Sequence, residues 1–324
     1  MLRKIINEEG KEIIIQTDVI AGKSTLVSIV SAGSATKFTV PDNIEVIEKH
    51  AFCHTQFLEI TLPGSVKELK TNCFENSNVR KVVFNSHTPA IPVATFLNCK
   101  KLEEVVLPIN LKVIRTSAFA GCENLKQIVL PESIESIERN VFNSCKSLTE
   151  ITLPKNLKFI NSSTFINCTK LRKVNFSKEL NCIGVYAFKG CISLESVKLP
   201  DTLTLIDTGA FDECFSLNEV ILSKNTEIIK DKAFNVACFN KIALPDTLKT
   251  LSDTALPINK ETGLPRITVT CSHETLANFL FLKNGNYNLN IINPTLDDLL
   301  DANVFEKENS LKNVNDLMLK VQDR

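Results

Sequence analysis

Residues 194–214 read LESVKLPDTLTLIDTGAFDEC, and the same pattern recurs along most of the chain. Each copy contains one phenylalanine, which we call the anchor of its repeat. Successive anchors are 22, 22 and then six times 23 residues apart. They are Phe52, Phe74, Phe96, Phe119, Phe142, Phe165, Phe188, Phe211 and Phe234. A period this strict predicts a solenoid, because a unit of this size can bury its apolar face only against a neighbouring copy.

Each copy opens with a Leu-x-x-Val-x-Leu-Pro segment, as at Leu125, Ile128 and Leu130. Apolar residues two positions apart predict a short β-strand with one buried face. A Leu-x-x-Ile segment follows, as at Leu157 and Ile160. We expect this second half to turn the chain and return it to the next strand.

The full pattern, Leu-x-x-Val-x-Leu-Pro-x-x-Leu-x-x-Ile-x-x-x-Ala-Phe-x-x-Cys, resembles the BspA-type leucine-rich repeat over roughly residues 36–292. The resemblance implies an α/β leucine-rich repeat solenoid. This would be a single elongated, curved domain of about nine or ten repeats, with short parallel strands stacked on one face. For function the resemblance implies only binding, because the family is used to bind many different partners.

We expect four segments along the chain. They are an N-terminal β cap at 1–35, leucine-rich repeats at 36–257, a degenerate closing repeat at 258–292 and an amphipathic helical segment at 293–324. The cap should contain a hairpin that turns at Glu9-Gly10, and the closing repeat a helix from about Glu274 to Lys283. Apolar spacings of three and four predict a helix in the last segment. We expect it to cap the final repeat; the alternative is a dimer or partner helix.

The composition excludes some partners and suggests a compartment. Lysine plus arginine and aspartate plus glutamate number 37 each, so the net charge is near zero. This balance argues against nucleic acid or an anionic membrane as the main partner. The first 30 residues hold no long apolar run, so we expect that they contain no signal peptide and no membrane span. We therefore expect a cytoplasmic protein with reduced thiols.

The cysteines follow the repeat rather than a metal-site pattern. Six of them lie three residues after successive anchors, at Cys99, Cys122, Cys145, Cys168, Cys191 and Cys214. Zinc needs four ligands that converge tetrahedrally, and a line of thiols one repeat apart does not provide this. We interpret the line as buried thiols, each able to donate to a turn carbonyl.

Other candidate sites are weaker still. Residues 22–25 read GKST, but the first glycine of a phosphate-binding loop is missing, since position 17 is threonine. His50 and His54 are four residues apart, with no carboxylate pattern that supports a metal. We therefore predict no catalytic, cofactor-binding or metal residues, and a protein that is not an enzyme.

The outward positions of the strands are the candidate binding surface. Val83, Val106 and Val129 occupy one such position in consecutive repeats, and Lys81, Glu104 and Glu150 lie around them. An exposed apolar patch of this kind is typical of a protein contact site. The alternative is that β-branched residues simply favour strands.

Two short segments suggest a specific partner. The tetrapeptide Lys173-Val174-Asn175-Phe176 resembles the motif by which regulators dock on the catalytic subunit of type-one protein phosphatase, and Lys81-Val82-Val83-Phe84 matches it too. The alternative is that these valine and phenylalanine side chains are repeat core. We predict a protein-binding scaffold, with this phosphatase as the suggested partner and a surface or secreted adhesin as the alternative. The candidate residues are Lys81, Val83, Glu104, Val106, Val129, Glu150, Lys173, Val174, Asn175 and Phe176.

Overall fold

The chain forms a β-solenoid of about ten turns, built from stacked parallel strands. A computed structural model of the 324-residue chain describes residues 1–257, 267–279 and 287–292. Each turn of the solenoid is one sequence repeat. Equivalent residues of successive repeats therefore lie side by side and form rows along the molecule.

The Leu-x-x-Val-x-Leu segments form one set of strands, which we call the front strands. Val-x-Leu side chains point into the core and the alternate residues point outwards, as in β8, where Val82 and Phe84 are buried. The front strands are β4 (Lys37–Thr39), β6 (Glu59–Leu62), β8 (Lys81–Phe84), β10 (Glu104–Val106), β13 (Glu150–Thr152), β15 (Lys173–Asn175), β17 (Ser196–Lys198), β19 (Glu219–Ile221), β21 (Lys241–Ala243), β23 (Thr268–Ser272) and β24 (Asn288–Ile292).

The front strands do not make one continuous sheet. They pair in four groups, β4-β6-β8-β10, β13-β15, β17-β19 and β21-β23-β24. The strand expected around Ile128 is not formed, and residues 126–130 lie in an irregular segment between β10 and β13. Ile128 and Leu130 are nevertheless buried. The alternation of side chains is thus kept where the hydrogen-bonded ladder is interrupted.

The expectation that strands lie on one face only is wrong, because the chain has a second set of strands, which we call the back strands. Each is the two-residue end of a Leu-x-x-Ile segment. They are β5 (Val46–Ile47), β7 (Glu68–Leu69), β9 (Ala90–Ile91), β11 (Val113–Ile114), β12 (Ser136–Ile137), β14 (Phe159–Ile160), β16 (Cys182–Ile183), β18 (Leu205–Ile206), β20 (Ile228–Ile229) and β22 (Thr250–Leu251). All their pairings are parallel and in register, for example Ile160 with Ile183. The chain therefore carries β-ladders on two sides.

The segment around each anchor is a series of turns, which corrects the α/β expectation. Two residues per repeat, two positions before and two after the anchor, have positive φ between 54° and 75°. L-residues in this left-handed conformation cannot continue a right-handed helix. The left-handed residues are His50, His54, Asn72, Asn76, Ala94, Asn98, Ser117, Gly121, Asn140, Ser144, Ser163, Asn167, Tyr186, Gly190, Gly209, Glu213, Lys232 and Val236.

The anchor rings stack along the centre of the solenoid. Neighbouring rings from Phe52 to Phe234 have centroids 4.6–5.6 Å apart and interplanar angles of 29° or less. The backbone adds a third ladder here, since each anchor N–H donates to the residue just before the next anchor. Phe165 N, for example, donates to Ala187 O at 2.8 Å. Side-chain stacking and backbone bonds therefore fix the same spacing.

The six aligned cysteines form hydrogen bonds to the backbone of the anchor residues, as predicted. Each thiol donates to the anchor carbonyl of the preceding repeat, and Cys168 Sγ lies 3.2 Å from Phe142 O. The same carbonyl already accepts from the backbone N–H of Cys145. The six distances run from 3.0 to 3.3 Å. The line of thiols is thus a row of structural donors.

The N-terminal residues form antiparallel strands that continue the back ladder. The expected hairpin at Glu9-Gly10 joins β1 (Leu2–Ile6) to β2 (Glu12–Ile20). A second turn at Ala21 and Gly22 leads into β3 (Lys23–Ser31), which pairs with β2 on one side and with β5 on the other. Residues 22–25 therefore belong to a hairpin, not to a phosphate-binding loop.

At the other end, β23 and β24 extend the front strands beyond β21. Between them, α1 (His273–Asn278) begins after Ser272, whose side chain accepts a hydrogen bond from Thr275 N. The helix ends at Asn278, because Phe279 has non-helical dihedral angles, so it is shorter than the expected 274–283. The amphipathic segment expected at 293–324 lies outside the described residues.

The anchor stack can be tested with two phenylalanines of one repeat. Phe165 is 0% exposed within the stack, whereas Phe159 points outwards from the back strand and is 53% exposed. We expect Phe165→Ala to cost about 3–5 kcal/mol by leaving a cavity in mid-solenoid. Phe159→Ala should cost much less. Denaturant unfolding measures both values, and equal losses, or an unchanged stability for Phe165→Ala, would contradict this assignment of the core.

Thiol reactivity tests the positions of the cysteines. Eight cysteines are buried, Cys53 and Cys182 are half-buried, and Cys238 is exposed. Burial raises the pKa of the aligned thiols, to about 12 for Cys168, and the thiolate is the reactive form. With Ellman's reagent at pH 8, we expect Cys238 to react fastest and the eight buried thiols only after denaturation. Reaction of more than three thiols per native chain would contradict the structure.

Candidate interaction surface

Two of the three valines of the predicted patch lie on front strands, and the third, Val129, occupies the equivalent position in the irregular segment 126–130. Val83 and Val106 are direct partners in the parallel pair of β8 and β10. Val83 is half-buried, Val106 is 43% exposed, and Val129 in the next repeat is 82% exposed. The structure therefore pairs Val83 with Val106, leaves Val129 at the equivalent position of an irregular segment in the next repeat, and exposes the last two to solvent.

The charged residues beside this row pair with one another across repeats. Lys81 Nζ lies 2.9 Å from Glu104 Oε1, and Lys173 Nζ lies 3.1 Å from Glu150 Oε1. Asn175 Nδ2 donates to the same Glu150 oxygen at 2.9 Å. The Lys173 and Asn175 hydrogen bonds, together with the Lys173 charge, lower the pKa of Glu150. The row is thus bordered by charges that neutralise each other, and its main open feature is apolar.

The two short segments that suggested a phosphatase place their key side chains in the core. Val82 is fully buried and Phe84 nearly so, and both belong to the main apolar cluster. Val174 and Phe176 are partly buried and pack against that cluster. The Phe176 ring meets the Phe188 ring edge-on at 6.0 Å. These side chains cannot enter a partner's pockets while the repeats remain folded.

The back strands carry an apolar stripe that the sequence reasoning missed. Phe159, Cys182, Leu205 and Ile228 are the outward residues of four consecutive back strands and pair in register. Phe159 is half-exposed and the other three are half-buried. The signal was available, because two adjacent apolar residues in a strand must face opposite sides. Each stripe residue directly precedes a buried isoleucine.

A polar cluster in the first repeats is not evident from the sequence. His50 Nδ1 lies 3.1 Å from Cys53 Sγ and 3.5 Å from Glu75 Oε2. Partial burial and the Glu75 charge raise the pKa of the Cys53 thiol to about 11. The thiol is therefore protonated at neutral pH and is not activated as a nucleophile. The spacing of His50 and His54 in the sequence does not indicate that Glu75 of the next repeat joins His50 and Cys53.

No helix in residues 1–257, 267–279 or 287–292 is long and apolar enough to cross a membrane.

Comparison with known proteins agrees with the fold. The family model for the BspA type leucine-rich repeat region matches in six copies, over residues 30–149 and 135–260. A leucine-rich repeat protein from Bacteroides ovatus ATCC 8483 is similar with a TM-score of 0.58 at 22% identity, covering 81% of this chain and 72% of that one. A leucine-rich repeat protein from T. pallidum gives a TM-score of 0.47 at 24% identity, covering 63% of this chain and 87% of that one.

No curated protein matches the sequence. At 22% identity, the similarity to the Bacteroides ovatus structure concerns the fold alone. The family model, in contrast, matches well over half of the sequence. The chain therefore belongs to the BspA-type leucine-rich repeat family.

Proposed function

We propose that the protein is a non-enzymatic scaffold that binds a protein partner on its front strands. The observation that carries this proposal is the row of Val83, Val106 and Val129. Val83 and Val106 are paired on adjacent parallel strands, Val106 and Val129 are open to solvent, and the charges beside the row pair with each other. A surface of this kind favours an apolar contact with a partner that has no strong net charge.

The patch must be the centre of a larger contact. Full burial of a valine side chain is worth roughly 1.5–3 kcal/mol, whereas association costs about 4–15 kcal/mol in lost freedom. Because Val83 is already half-buried and Val106 is 43% exposed, covering the three valines gains only roughly 2–5 kcal/mol, which at best matches the lowest cost of association. The valines therefore cannot hold a partner alone. The same outward row continues through Thr61 on one side and through Thr152 and Asn175 on the other. These polar neighbours can add contacts around the apolar centre.

The suggested phosphatase partner and the location are finer parts of the proposal. Binding to type-one protein phosphatase would have to use the outward row, because the short motifs supply core residues. A cytoplasmic location is part of the proposal, and the six buried thiols that donate to backbone carbonyls are compatible with a reducing compartment. The alternative, a surface adhesin, would use the same face, and labelling of intact cells separates the two locations.

The patch can be tested with a triple substitution to threonine at positions 83, 106 and 129. Threonine keeps the β-branched shape and the strand preference while it removes apolar contact. A matched control is Ile221→Thr, which changes the same outward row four repeats beyond Val129 at a side chain that is 45% exposed. We expect both variants to keep the unfolding temperature within a few degrees of the wild type.

Binding is measured by isothermal titration, first with the type-one phosphatase catalytic subunit and then with partners recovered by quantitative pull-down. We expect the triple variant to bind at least tenfold more weakly, while Ile221→Thr binds as the wild type does. Equal affinity of all three proteins for every recovered partner would refute the front-row proposal. Absence of any heat with the phosphatase would remove that partner alone.

A further inference from the structure

We propose that His50, Cys53 and Glu75 form a binding site for a divalent metal ion of the zinc class. Among the residues that the structure describes, they are the group of three potential ligands whose donor atoms all lie within 4.8 Å of one another. The inference does not depend on the proposed scaffold function. The site lies on the turns of the first repeats, away from the outward row of Val83, Val106 and Val129.

The repeat itself explains why these residues meet. Cys53 and Glu75 each directly follow an anchor, Phe52 and Phe74, so stacking places them in one row on adjacent turns. His50 precedes the same anchor by two residues and has the left-handed backbone with φ of 60°. A left-handed residue redirects the chain, and here it brings the imidazole to Cys53 and Glu75.

The distances suit tetrahedral coordination. Zinc binds sulfur at about 2.3 Å, nitrogen at about 2.0–2.1 Å and carboxylate oxygen at about 2.0–2.2 Å, which puts tetrahedral ligand atoms roughly 3.4–3.6 Å apart. His50 Nδ1 is 3.5 Å from Glu75 Oε2 and 3.1 Å from Cys53 Sγ. The histidine–carboxylate distance thus already suits coordination, the histidine–thiol distance is a few tenths of an ångström too short, and all three ligand atoms lie within 4.8 Å of one another.

Neighbouring hydrogen-bonding groups orient the ligand side chains and still leave them able to bind a metal. Asn72 Nδ2 donates to Glu75 Oε2 at 2.8 Å and orients the carboxylate, as supporting residues of metal sites do. The Cys53 thiol donates weakly to Asn72 O at 3.4 Å. When a metal displaces the thiol proton, that carbonyl keeps a second donor, the backbone N–H of Glu75. Binding therefore leaves no buried acceptor unsatisfied there.

The ligand set indicates the class of metal. A thiol and an imidazole favour zinc and related borderline or soft ions over calcium and magnesium, which prefer oxygen. His50 and Glu75 side chains are 47% and 22% exposed, so water can complete the coordination. The equivalent positions in the second repeat, Asn72, Glu75 and Leu97, contain no thiol or imidazole. The combination of histidine, cysteine and glutamate at these positions is therefore a local departure from the repeat.

Cobalt is the probe, because a thiolate bound to Co²⁺ produces a near-ultraviolet charge-transfer band. The full-length chain, without a histidine tag, is reduced with a phosphine and stripped of metal. We expect one Co²⁺ per chain with this band, and its loss when Zn²⁺ is added. Saturating Co²⁺ without a charge-transfer band would overturn the proposal.

The variants use residues that the repeat already tolerates. Cys53→Ala copies Ala120, and His50→Asn copies Asn72 and Asn140, which are also left-handed. We expect Cys53→Ala to abolish the band, and His50→Asn and Glu75→Gln each to weaken Co²⁺ binding at least tenfold. Matched controls are Cys182→Ala and Cys238→Ala, which remove other accessible thiols and should leave binding unchanged.

Two further outcomes would refute the site. A band that persists in Cys53→Ala would assign binding to another thiol. Unchanged affinity in both His50→Asn and Glu75→Gln would reduce the site to a lone cysteine. Thermal unfolding provides an independent readout, because a ligand that binds only the folded state raises its melting temperature. Zn²⁺ should raise the melting temperature of the wild type and not that of Cys53→Ala.

Discussion

Stacking of one phenylalanine on the next is the constraint that the rest of the molecule follows. Ring centroids about 5 Å apart match the 4.7–4.9 Å between hydrogen-bonded strands. The aromatic column and the backbone ladders can therefore share one repeat distance without strain. This agreement ties every turn to the same rise, so an added or missing residue has to be absorbed in the turns rather than in the core.

That constraint also separates structural from functional positions. A position inside the solenoid sees the same surroundings in every repeat, and it holds nearly the same residue, as the anchors and the aligned cysteines do. A position outside contacts only its neighbours in the row and solvent, so its residue can change. The features of a single region described above, exposed Val129 and the stripe that begins at Phe159, lie in outward rows.

The sequence predicted the solenoid, the anchors, the inward valines and the hydrogen-bonding role of the aligned thiols, because each follows from periodicity. It did not predict the left-handed pair that flanks each anchor, since residues as different as Asn140 and Tyr186 adopt this conformation. Nor did it predict the interrupted front strand at Ile128, where the side-chain pattern is intact and only the hydrogen bonding fails. The cluster of His50, Cys53 and Glu75 requires knowing which residues of successive repeats become neighbours.

The cysteines show how position in the repeat decides chemistry. Cys168 lies three residues after an anchor and is buried beside the stack. Burial raises its pKa to about 12, and its thiol donates a hydrogen bond to Phe142 O. One residue after an anchor, Cys53 is only partly buried and faces an imidazole and a carboxylate. The side chain is the same, but a shift of two positions moves it from the column to the surface. The position of the cysteine relative to the anchor therefore determines whether its thiol is a structural donor or a potential metal ligand.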